Sequence, residues 1–385
     1  MKPTVLFIFG TRPEAIKLAP LIKVFSKPGI YTVKICVTAQ HREMLDQVLH
    51  FFDLIPDYDL DLMRPAQSLF QITANSMTRL ESVFNEAKPE LVFVQGDTTT
   101  AFVGAMAAYY KNVPVAHIEA GLRTFDKKSP FPEEMNRQLI TRLSDYHFAP
   151  TIQSQQNLMY EGVTKNVHVV GNTVIDALLL GLSTIEKDDD KYFQYFNDID
   201  FSKKIILVTC HRRENFGEPF NDICKALVAI ATAHKNIELV YPVHLNPNIR
   251  EIAHQQLKSP NIKLIAPLEY PYLIWLMNKS HLILTDSGGI QEEAPTLGKP
   301  VLVLRNTSER TEGIEAGTAK LVGTNKQSIV DETELLLNDD ASYNLMARSV
   351  NPYGDGTTSE KIFEIITNDL QRHHASLRSV LQKMS

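Results

Sequence analysis

Apolar runs the length of a β-strand alternate with longer amphipathic segments along almost the whole of this 385-residue chain. Continuous apolar runs are typical of strands buried on both faces, and the amphipathic segments predict helices between them. The pattern therefore predicts an α/β protein in which helices cover parallel sheets on both sides. The first set of predicted strands covers residues 4–9, 33–38, 91–95, 113–118, 147–149 and 168–170.

The same pattern begins again after residue 203, which predicts two Rossmann-like domains with a ligand-binding cleft between them. The segment 183–204 is acidic and aromatic and has neither a helical nor a strand period, so we place the first domain boundary just before it, near Gly171. The last segment, 359–384, predicts a helix. The second set of predicted strands covers residues 204–210, 237–242, 262–265, 281–285, 300–304 and 320–322.

Charge and composition exclude several classes of function. The chain carries 39 Lys and Arg against 45 Asp and Glu, a net charge of −6, so its surface has no general attraction for nucleic acid or anionic membranes. Its apolar runs are too short to span a bilayer. The three cysteines, Cys36, Cys210 and Cys224, lie far apart and lack metal-ligand spacing, which favours a cytoplasmic protein with reduced thiols and no metal.

Ligands of open α/β sheets bind beyond the carboxyl ends of the strands, so residues that directly follow strands are the candidates for function. The first predicted strand ends at Gly10, which permits a tight turn into the next helix. Arg12 and Lys17 add positive charge near the helix start, which suits a phosphate or a sugar hydroxyl. Taken alone, this segment is equally compatible with an ordinary turn that carries surface cations.

Three acidic residues lie at predicted strand or helix ends in the first half of the chain. Asp97 and Glu119 each follow an apolar strand, and Glu133 opens the next predicted helix. Neighbouring carboxylates push their pKa values apart, so that one can act as an acid and another as a base. Each residue alone is compatible with a helix cap or a first-turn acid. Together, at one predicted sheet edge, they favour catalysis.

A glycine-rich turn in the second half is the strongest single motif. Ser287, Gly288 and Gly289 follow a predicted strand and open a helix, where backbone N–H groups can approach a diphosphate. Glu292 follows about one helical turn later, at a position suited to ribose hydroxyls. The alternative is a glycine turn capped by Ser287.

Other polar residues follow the remaining strands of the second half. His211 begins a His-Arg-Arg run suited to an anion, and His244 follows the next strand, although either alone is compatible with a structural histidine. Arg305 ends another strand; it either lines the same cleft or forms a solvated ion pair.

Ten motifs, in order from residue 10 to residue 362, resemble those of the bacterial non-hydrolysing UDP-N-acetylglucosamine 2-epimerases. They are GTRPEAIKLAP, TAQHREMLDQVL, GDTTT, HIEAGLRT, FPEEMNRQLI, GNTVIDAL, HRREN, YPVHLNPN, DSGGIQEEAPTLGKPV and NPYGDGTTSEKI. The resemblance implies two domains of the GT-B type with a central cleft. It also implies that the final helix returns to the first domain, so that residues 1–170 with 359–385 form one domain and residues 171–358 the other.

The resemblance further implies that UDP is eliminated to leave 2-acetamidoglucal, and that UDP adds back with carbon 2 inverted. The product, UDP-N-acetylmannosamine, supplies cell-envelope or capsular polysaccharides, and neither a metal nor another cofactor takes part. A homodimer and activation by a second UDP-sugar are also typical of the family. Of the three acids, the resemblance leaves open which is the base and which the proton donor.

The resemblance assigns residues of this chain to three groups. The catalytic residues are Asp97, Glu119, Glu133, His211 and Lys17. The residues that bind the nucleotide or the sugar are Arg12, His244, Ser287, Gly288, Gly289 and Glu292. The residues of the activator site are Gln40, His41, Glu134 and Arg213.

Three other functions share parts of this pattern. A GT-B glycosyltransferase shares the fold and the diphosphate turn but needs an acceptor. A UDP-sugar sensor binds without chemistry and gives no reason for three clustered acids. A hydrolysing epimerase releases free sugar, and such enzymes depart from the QHR and PEEMNR motifs that this chain keeps. Fold alone does not decide among these functions.

Overall fold

The computed structural model of the protein describes residues 2–38, 42–62 and 67–384. The chain divides into two compact units, Met1–Ala177 with Gly354–Ser385 and Leu178–Tyr353. The sequence predicts boundaries after residue 170 and before residue 359. In the structure the first division falls inside a helix, Thr173–Ile185, which begins just after the predicted boundary.

The first unit contains a parallel sheet of seven strands. They are β1 (Thr4–Phe9), β2 (Thr32–Val37), β3 (Tyr58–Asp59), β4 (Leu91–Gln95), β5 (Val115–Ile118), β6 (Tyr146–Ala149) and β7 (Val167–Val169). Their order in the sheet is β3-β2-β1-β4-β5-β6-β7. The predicted strands are confirmed, whereas β3 was not predicted, because two residues are too few to show a pattern.

A helix follows each of these strands, as the amphipathic segments predict. They are α1 (Arg12–Phe25), α2 (Arg42–Phe51), α3 (Leu69–Ala87), α4 (Thr99–Tyr110), α5 (Glu133–Leu143), α6 (Ile152–Tyr160) and α7 (Thr173–Ile185). Because β1 pairs with both β2 and β4, the chain changes direction across the sheet between β1 and β4. The carboxyl ends of β1, β4 and β5 therefore lie side by side, at the position where such sheets bind ligands.

Aromatic packing fixes the centre of this sheet. The rings of Phe7 on β1 and Phe93 on β4 stack with centroids 4.6 Å apart. Phe25 from α1 packs edge-on against Phe93 at 5.0 Å. All three side chains are buried. Burial of each stabilises the fold by about 2 kcal/mol and holds β1, β4 and α1 in register.

The second unit contains a parallel sheet of six strands. They are β8 (Lys204–Thr209), β9 (Ile237–Pro242), β10 (Ile262–Ile265), β11 (Leu282–Thr285), β12 (Val301–Val303) and β13 (Ala319–Leu321). Their order is β10-β9-β8-β11-β12-β13, so the change of direction lies between β8 and β11. The helices are α8 (Asp189–Tyr195), α9 (Glu218–Ala233), α10 (Pro247–Gln256), α11 (Tyr270–Lys279), α12 (Gly288–Glu293), α13 (Thr311–Glu315), α14 (Lys326–Asn338) and α15 (Asp340–Ala347).

The segment 183–204, for which the sequence shows no regular period, is largely helical. It contains the end of α7 and the whole of α8. Rings from this segment surround Trp275: Phe196 stacks on its indole at 5.3 Å, and Phe193 and Phe201 meet it edge-on at 4.9 and 5.2 Å. The period is missing because aromatic side chains of the helix and of the turns after it pack around one tryptophan instead of along a continuous stripe.

The final helix, α16 (Thr358–Met384), belongs to the first unit. The buried carboxylate of Asp176 accepts hydrogen bonds from the amides of Thr358 at 3.3 Å and Ser359 at 2.7 Å, which satisfies the helix start. Phe363 packs against Phe25 at 5.1 Å. Within the described ranges, none of the helices combines the length and the apolar character needed to cross a membrane.

Candidate active site

The turn after β1 leaves room only for glycine. A Cβ atom at Gly10 would lie 2.2 Å from the hydroxyl of Thr38 and 2.6 Å from that of Thr100, closer than atoms can approach. Those two hydroxyls also form a hydrogen bond of 2.9 Å to each other. Gly10 thus lets the start of α1 lie close to the residue after β2 and to the first turn of α4. Arg12, the first residue of α1, lies partly exposed at this turn.

A buried carboxylate links the turn after β1 to the loop after β4. Glu14 accepts hydrogen bonds from the amides of Gly10 and Thr11, at 3.0 and 2.8 Å, and from the hydroxyl of Thr98 at 2.7 Å. Burial raises the pKa of Glu14, while the hydrogen bonds from Thr98 and Thr11 oppose the rise. Our sequence reasoning missed this residue, although the capping pattern Thr-x-x-Glu was present.

Glu119 follows β5 and lies at the centre of the first cluster. Its backbone adopts a left-handed conformation with φ of +65°, which costs energy in a residue other than glycine and often marks functional sites. Its side chain is 7% exposed and forms an ion pair with Lys17. Gln95 donates to Oε2 at 2.5 Å, and Asn172 donates to Oε1 at 3.0 Å. These three partners hold the carboxylate in one orientation.

Asp97 follows β4 and is held by residues of α5. The guanidinium of Arg137 donates to Oδ2, from Nε at 3.0 Å and also from Nη2. Asn136 donates to the backbone carbonyl of Asp97 at 2.9 Å. Burial raises the pKa of Asp97 and the charge of Glu119 adds to the rise, whereas Arg137 and Lys17 lower it. The charge of Glu119 therefore acts on the ionisation of Asp97.

Glu133 and Glu134 open α5 in different surroundings. Glu133 is partly exposed and lies one helical turn before Arg137, so the two share a helix face. Glu134 is fully buried and accepts hydrogen bonds from the amides of Thr124 and Phe125, at 3.0 and 3.2 Å. Glu134 therefore secures the 124–125 loop, a role that the sequence did not indicate.

The strand ends beneath these acids are fixed by a neutral histidine. His117 on β5 is buried, and its Nε2 lies 2.7 Å from the carbonyl oxygen of Gly96. Burial lowers the pKa of His117 to about 3, so the imidazole is uncharged at neutral pH. This contact links the end of β4 to β5 without adding a charge next to Asp97 and Glu119.

In the second unit, Asp286 directly follows β11 and organises the loop after β8. Its Oδ2 accepts hydrogen bonds from the amides of His211 and Arg212, both at 2.8 Å, and from the side chain of Asn215 at 3.0 Å. The loop 211–215 is thus fixed to the strand end by one buried carboxylate. Arg213, within this loop, is exposed.

The two histidines of the second unit lie together. Nδ1 of His211 is 3.3 Å from Oδ1 of Asp286, and the side chain is 41% exposed. The rings of His211 and His244 stack with centroids 5.9 Å apart. His244 in turn accepts a hydrogen bond from the amide of Asn246 at 3.1 Å. The arrangement forms a cluster of imidazoles at the carboxyl ends of β8 and β9.

The glycine-rich turn begins α12 at Gly288, directly after Ser287, and Gly289 follows in the same turn. The guanidinium carbon of Arg310 lies 3.4 Å from the position that a Cβ atom of Gly288 would occupy. Arg310 also donates to Glu292 at 2.8 Å, and that carboxylate is almost fully buried. The turn therefore combines small residues with a cation whose position is fixed.

Arg305 is buried between two carboxylates. It donates to Glu214 at 2.5 Å and to Glu309 at 2.7 Å. Its charge is thus balanced within the protein, and it connects the loops after β8 and β12. Gln40 and His41, predicted for an activator site, lie outside the described residues. Within those residues, no group of three or more His, Cys, Asp and Glu side chains has the geometry of a metal site.

Comparison with known proteins identifies the family. The family profile described as UDP-N-acetylglucosamine 2-epimerase matches residues 25–367. The Escherichia coli K12 protein named UDP-N-acetylglucosamine 2-epimerase is 53% identical over 370 residues, which cover 95% of this chain and 98% of that protein.

The chain belongs to the UDP-N-acetylglucosamine 2-epimerase family. A solved family structure from Neisseria meningitidis, described as bound to UDP-GlcNAc, is 49% identical, has a TM-score of 0.88 and is matched over 95% of this chain and 100% of its own. The family structure from Methanocaldococcus jannaschii, in complex with UDP-GlcNAc and UDP, is 34% identical with a TM-score of 0.77, over 95% and 99% of the two chains. The predicted GT-B fold class, with two parallel-sheet α/β domains, is confirmed.

The partners that hold the predicted residues escaped our sequence reasoning. Gln95, Asn172 and Arg137 hold the carboxylates of the first cluster, and Asp286 holds the loop of His211. Each of these partners lies inside or beside one of the family motifs, so the sequence could have marked them as candidate site residues. It could not have shown which residue each one contacts, because every contact joins segments far apart in the chain.

Proposed function

We propose that this protein interconverts UDP-N-acetylglucosamine and UDP-N-acetylmannosamine without hydrolysing the nucleotide sugar, as an isomerase that uses no cofactor. The observation that carries the proposal is the joining of Asp97 and Glu119 with Lys17 and Arg137 at the ends of neighbouring strands. A site that only binds a sugar nucleotide has no need for two neighbouring, largely buried carboxylates.

The nucleotide contacts belong to the second unit. We assign the diphosphate to the turn Ser287–Gly289, where backbone N–H groups and Arg310 favour negative charge. His211 and His244 add polar contacts. The related structures described with UDP-GlcNAc or UDP support a ligand of this class. Glu292 is assigned to the ribose hydroxyls, and Arg310 fixes the orientation of its carboxylate.

The chemistry follows from the bonds that must change. The hydrogen on carbon 2 is not adjacent to a carbonyl group, so the departure of UDP must drive its removal. As the bond from carbon 1 to the phosphate oxygen breaks, a carboxylate accepts the carbon 2 proton and a double bond forms between carbons 1 and 2. UDP then adds back to carbon 1, and a second acid protonates carbon 2 from the opposite face. Cations near the diphosphate lower the barrier by stabilising the leaving charge.

Asp97 is the residue that we assign to proton exchange with carbon 2. Both donors from Arg137 meet its Oδ2, and Oδ1 accepts no hydrogen bond from the described residues. Its raised pKa brings the carboxyl closer to the range in which it both takes and returns a proton. The residue on the opposite face is then Glu119 or Glu133. Lys17 and Arg12 balance the charge of the cluster.

A second UDP-sugar site is proposed from the family resemblance alone. Arg213 is exposed and accessible to an anionic ligand. Glu134 is buried, so we propose that it acts through the backbone of the 124–125 loop that it holds. Gln40 and His41 would complete this site. If they do, Gln40→Ala flattens a sigmoidal dependence of rate on substrate, and an unchanged curve removes the site.

We also propose a cytoplasmic homodimer. The three cysteines are unbridged and buried, as suits a reducing compartment. Apolar side chains of α3 and α4 line one groove with Phe131, and Phe70, Phe131 and Tyr110 are 87%, 70% and 66% exposed. Exposed aromatic residues in one groove favour a partner surface, here a second copy of the chain. Sedimentation of Phe70→Glu tests this proposal: loss of a dimer supports the surface, and an unchanged dimer excludes it.

Proton NMR in heavy water tests the proposed reaction. With UDP-N-acetylglucosamine alone, we expect a second set of sugar signals and deuterium at carbon 2 of both isomers. A glycosyltransferase gives no change without an acceptor, and a UDP-sugar sensor binds with no deuterium uptake. A hydrolysing epimerase accumulates free sugar. Any of these three outcomes contradicts the proposal.

A further inference from the structure

We propose that Asp286 is a positioning residue for His211. The carboxylate of Asp286 holds Nδ1 of the imidazole beside it and so directs Nε2 toward the diphosphate. The inference rests on the proposed function in one respect, namely that His211 meets the leaving group. The orientation and protonation of the ring are properties of the free protein. They can therefore be measured without any substrate.

The carboxylate of Asp286 is held rigidly. It follows β11 directly and is fully buried. Three N–H groups of the 211–215 loop meet its Oδ2, so the side chain cannot rotate without losing all three hydrogen bonds. This places Oδ1 at a fixed point beside the imidazole of His211, 3.3 Å from Nδ1. Oδ1 has no hydrogen-bond partner among the described residues, so its contact with the imidazole is one of charge and proximity.

The ring of His211 is constrained from a second side. His244 stacks alongside it, with 5.9 Å between the ring centroids and an angle of 20° between the ring planes, so a second imidazole borders the ring. With Nδ1 against Asp286, the geometry of the five-membered ring directs Nε2 away from the buried carboxylate. A carboxylate that accepts from Nδ1–H also selects one tautomer and increases the basicity of the ring.

Other ionisable groups lie near the pair formed by Asp286 and His211. Asp286 favours the protonated imidazole, whereas His244, when protonated, opposes it. Arg212, Arg213 and Glu214 are the other charged residues of the same loop, and Glu214 pairs with Arg305. The nearby thiol of Cys210 and phenol of Tyr241 remain uncharged, because burial raises the pKa of both. Asp286 is the carboxylate in direct contact with the ring.

The consequence for the reaction is electrostatic. A protonated His211 donates from Nε2 to a phosphate oxygen and stabilises the charge that develops as UDP departs. Without the carboxylate, the ring loses its proton at a lower pH. The leaving group then meets a neutral imidazole. Asp286 therefore acts on the leaving group through His211 and does not itself touch the substrate.

Asp286→Asn tests this inference with little change in shape. The amide oxygen can still accept from the backbone amides of the loop, while the amide nitrogen replaces Oδ1 opposite Nδ1. NMR titration of the imidazole signals without nucleotide, with His211 identified by its loss in His211→Gln, measures the pKa of the ring. We expect the His211 pKa to fall by about one unit or more. An unchanged His211 pKa overturns the inference.

Asp176→Asn is the matched control. Asp176 is another buried aspartate that accepts two backbone amides, but it lies in the other unit and serves the start of α16. We expect this variant to leave the His211 titration as in the unaltered protein. A similar fall in both variants attributes the change to general loss of structure and overturns a specific role.

The unaltered protein supplies a second measurement, which holds even where Asp286→Asn fails to fold. Nitrogen-15 shifts of neutral His211 report the tautomer, and we expect the proton on Nδ1; a proton on Nε2 in the neutral ring overturns the inference. In activity assays, Asp286→Asn should move the basic limb of the kcat profile to lower pH, with a smaller change in KM. Absence of epimerisation in the unaltered protein would contradict the proposed function. The titration of His211 would still test the role of Asp286, because it needs no substrate.

Discussion

The two clusters lie at the same place in two similar sheets, yet they are built differently. In the first unit, charged side chains hold one another: Lys17 pairs with Glu119, and Arg137 pairs with Asp97. In the second unit, one buried carboxylate holds a backbone loop, and the side chain of His211 remains 41% exposed. The first arrangement suits proton transfer, which needs fixed, partly desolvated groups. The second suits the binding of an anion, which needs accessible donors.

The sharpest test of this comparison is Asp97→Asn. We expect proton exchange at carbon 2 to fall by about 10²–10⁴-fold, because an amide cannot take up the proton. UDP affinity should stay unchanged, since the nucleotide is assigned to the second cluster. Deuterium uptake and calorimetric titration with UDP measure the two effects. Asp53→Asn, at a side chain that is 90% exposed, serves as the control. Normal deuterium uptake would remove Asp97 from the acid–base set.

Lys17→Met tests whether the first cluster depends on internal charge balance. The substitution leaves the buried Glu119 carboxylate without its cation, and we expect a loss of about 3 kcal/mol in the free energy of unfolding. Lys27→Met is the matched control, because Lys27 pairs with Glu360 in an exposed ion pair, where a loss within about 0.5 kcal/mol is expected. Urea unfolding measures both. Equal losses would show that burial does not distinguish the two pairs.

Glu292→Ala tests the second cluster as a binding site. Loss of a charged hydrogen bond to the ribose should weaken UDP affinity by about 1–3 kcal/mol, with kcat changed less. Glu332→Ala, which breaks a pair with Lys320, is the control and should leave affinity as it is. Calorimetric titration with UDP gives the free energy directly. If Glu292→Ala binds UDP normally, the ribose assignment is wrong.

Arg137→Gln should move a pH profile without abolishing activity. Arg137 lowers the pKa of Asp97, whereas burial and the charge of Glu119 raise it. Removal of Arg137 therefore raises the pKa of Asp97. If Asp97 acts as the base, the acidic limb of kcat against pH moves to higher pH; if it acts as the acid, the basic limb does. Arg142→Gln, on the same helix, is the control. A profile that stays in place, or moves to lower pH, contradicts the assigned coupling.

Local patterns were sufficient for most of the secondary structure. Thr4–Phe9, Leu91–Gln95, Ile237–Pro242 and Ile262–Ile265 begin and end where the sequence predicts. Each is a strand that its own continuous apolar run defines, so no distant contact is needed to recognise it. The segment 183–204 shows no clear pattern for the opposite reason. Its aromatic side chains pack around Trp275, which lies far away in the chain.

The candidate site was predictable as positions but not as contacts. That Asp97 and Glu119 follow neighbouring strands could be inferred from apolar runs and the rule for parallel sheets. That Glu134 is buried under a loop could not, because it carries the same charge as Glu133 and adjoins it in the chain. One residue along a helix turns a side chain by about 100°, and only packing decides which of the two faces inward.

By itself, the sequence determined the fold class and the family, and it indicated the strand ends to which we assign function, because these depend on local apolar runs and on intact motifs. Only the tertiary structure decided the partners: Lys17 meets Glu119 across 102 residues of chain, and Asp286 meets the amide of His211 across 75. Such pairs depend on the order of strands in each sheet. Strand order is set by the packing of the whole unit, which no short pattern encodes.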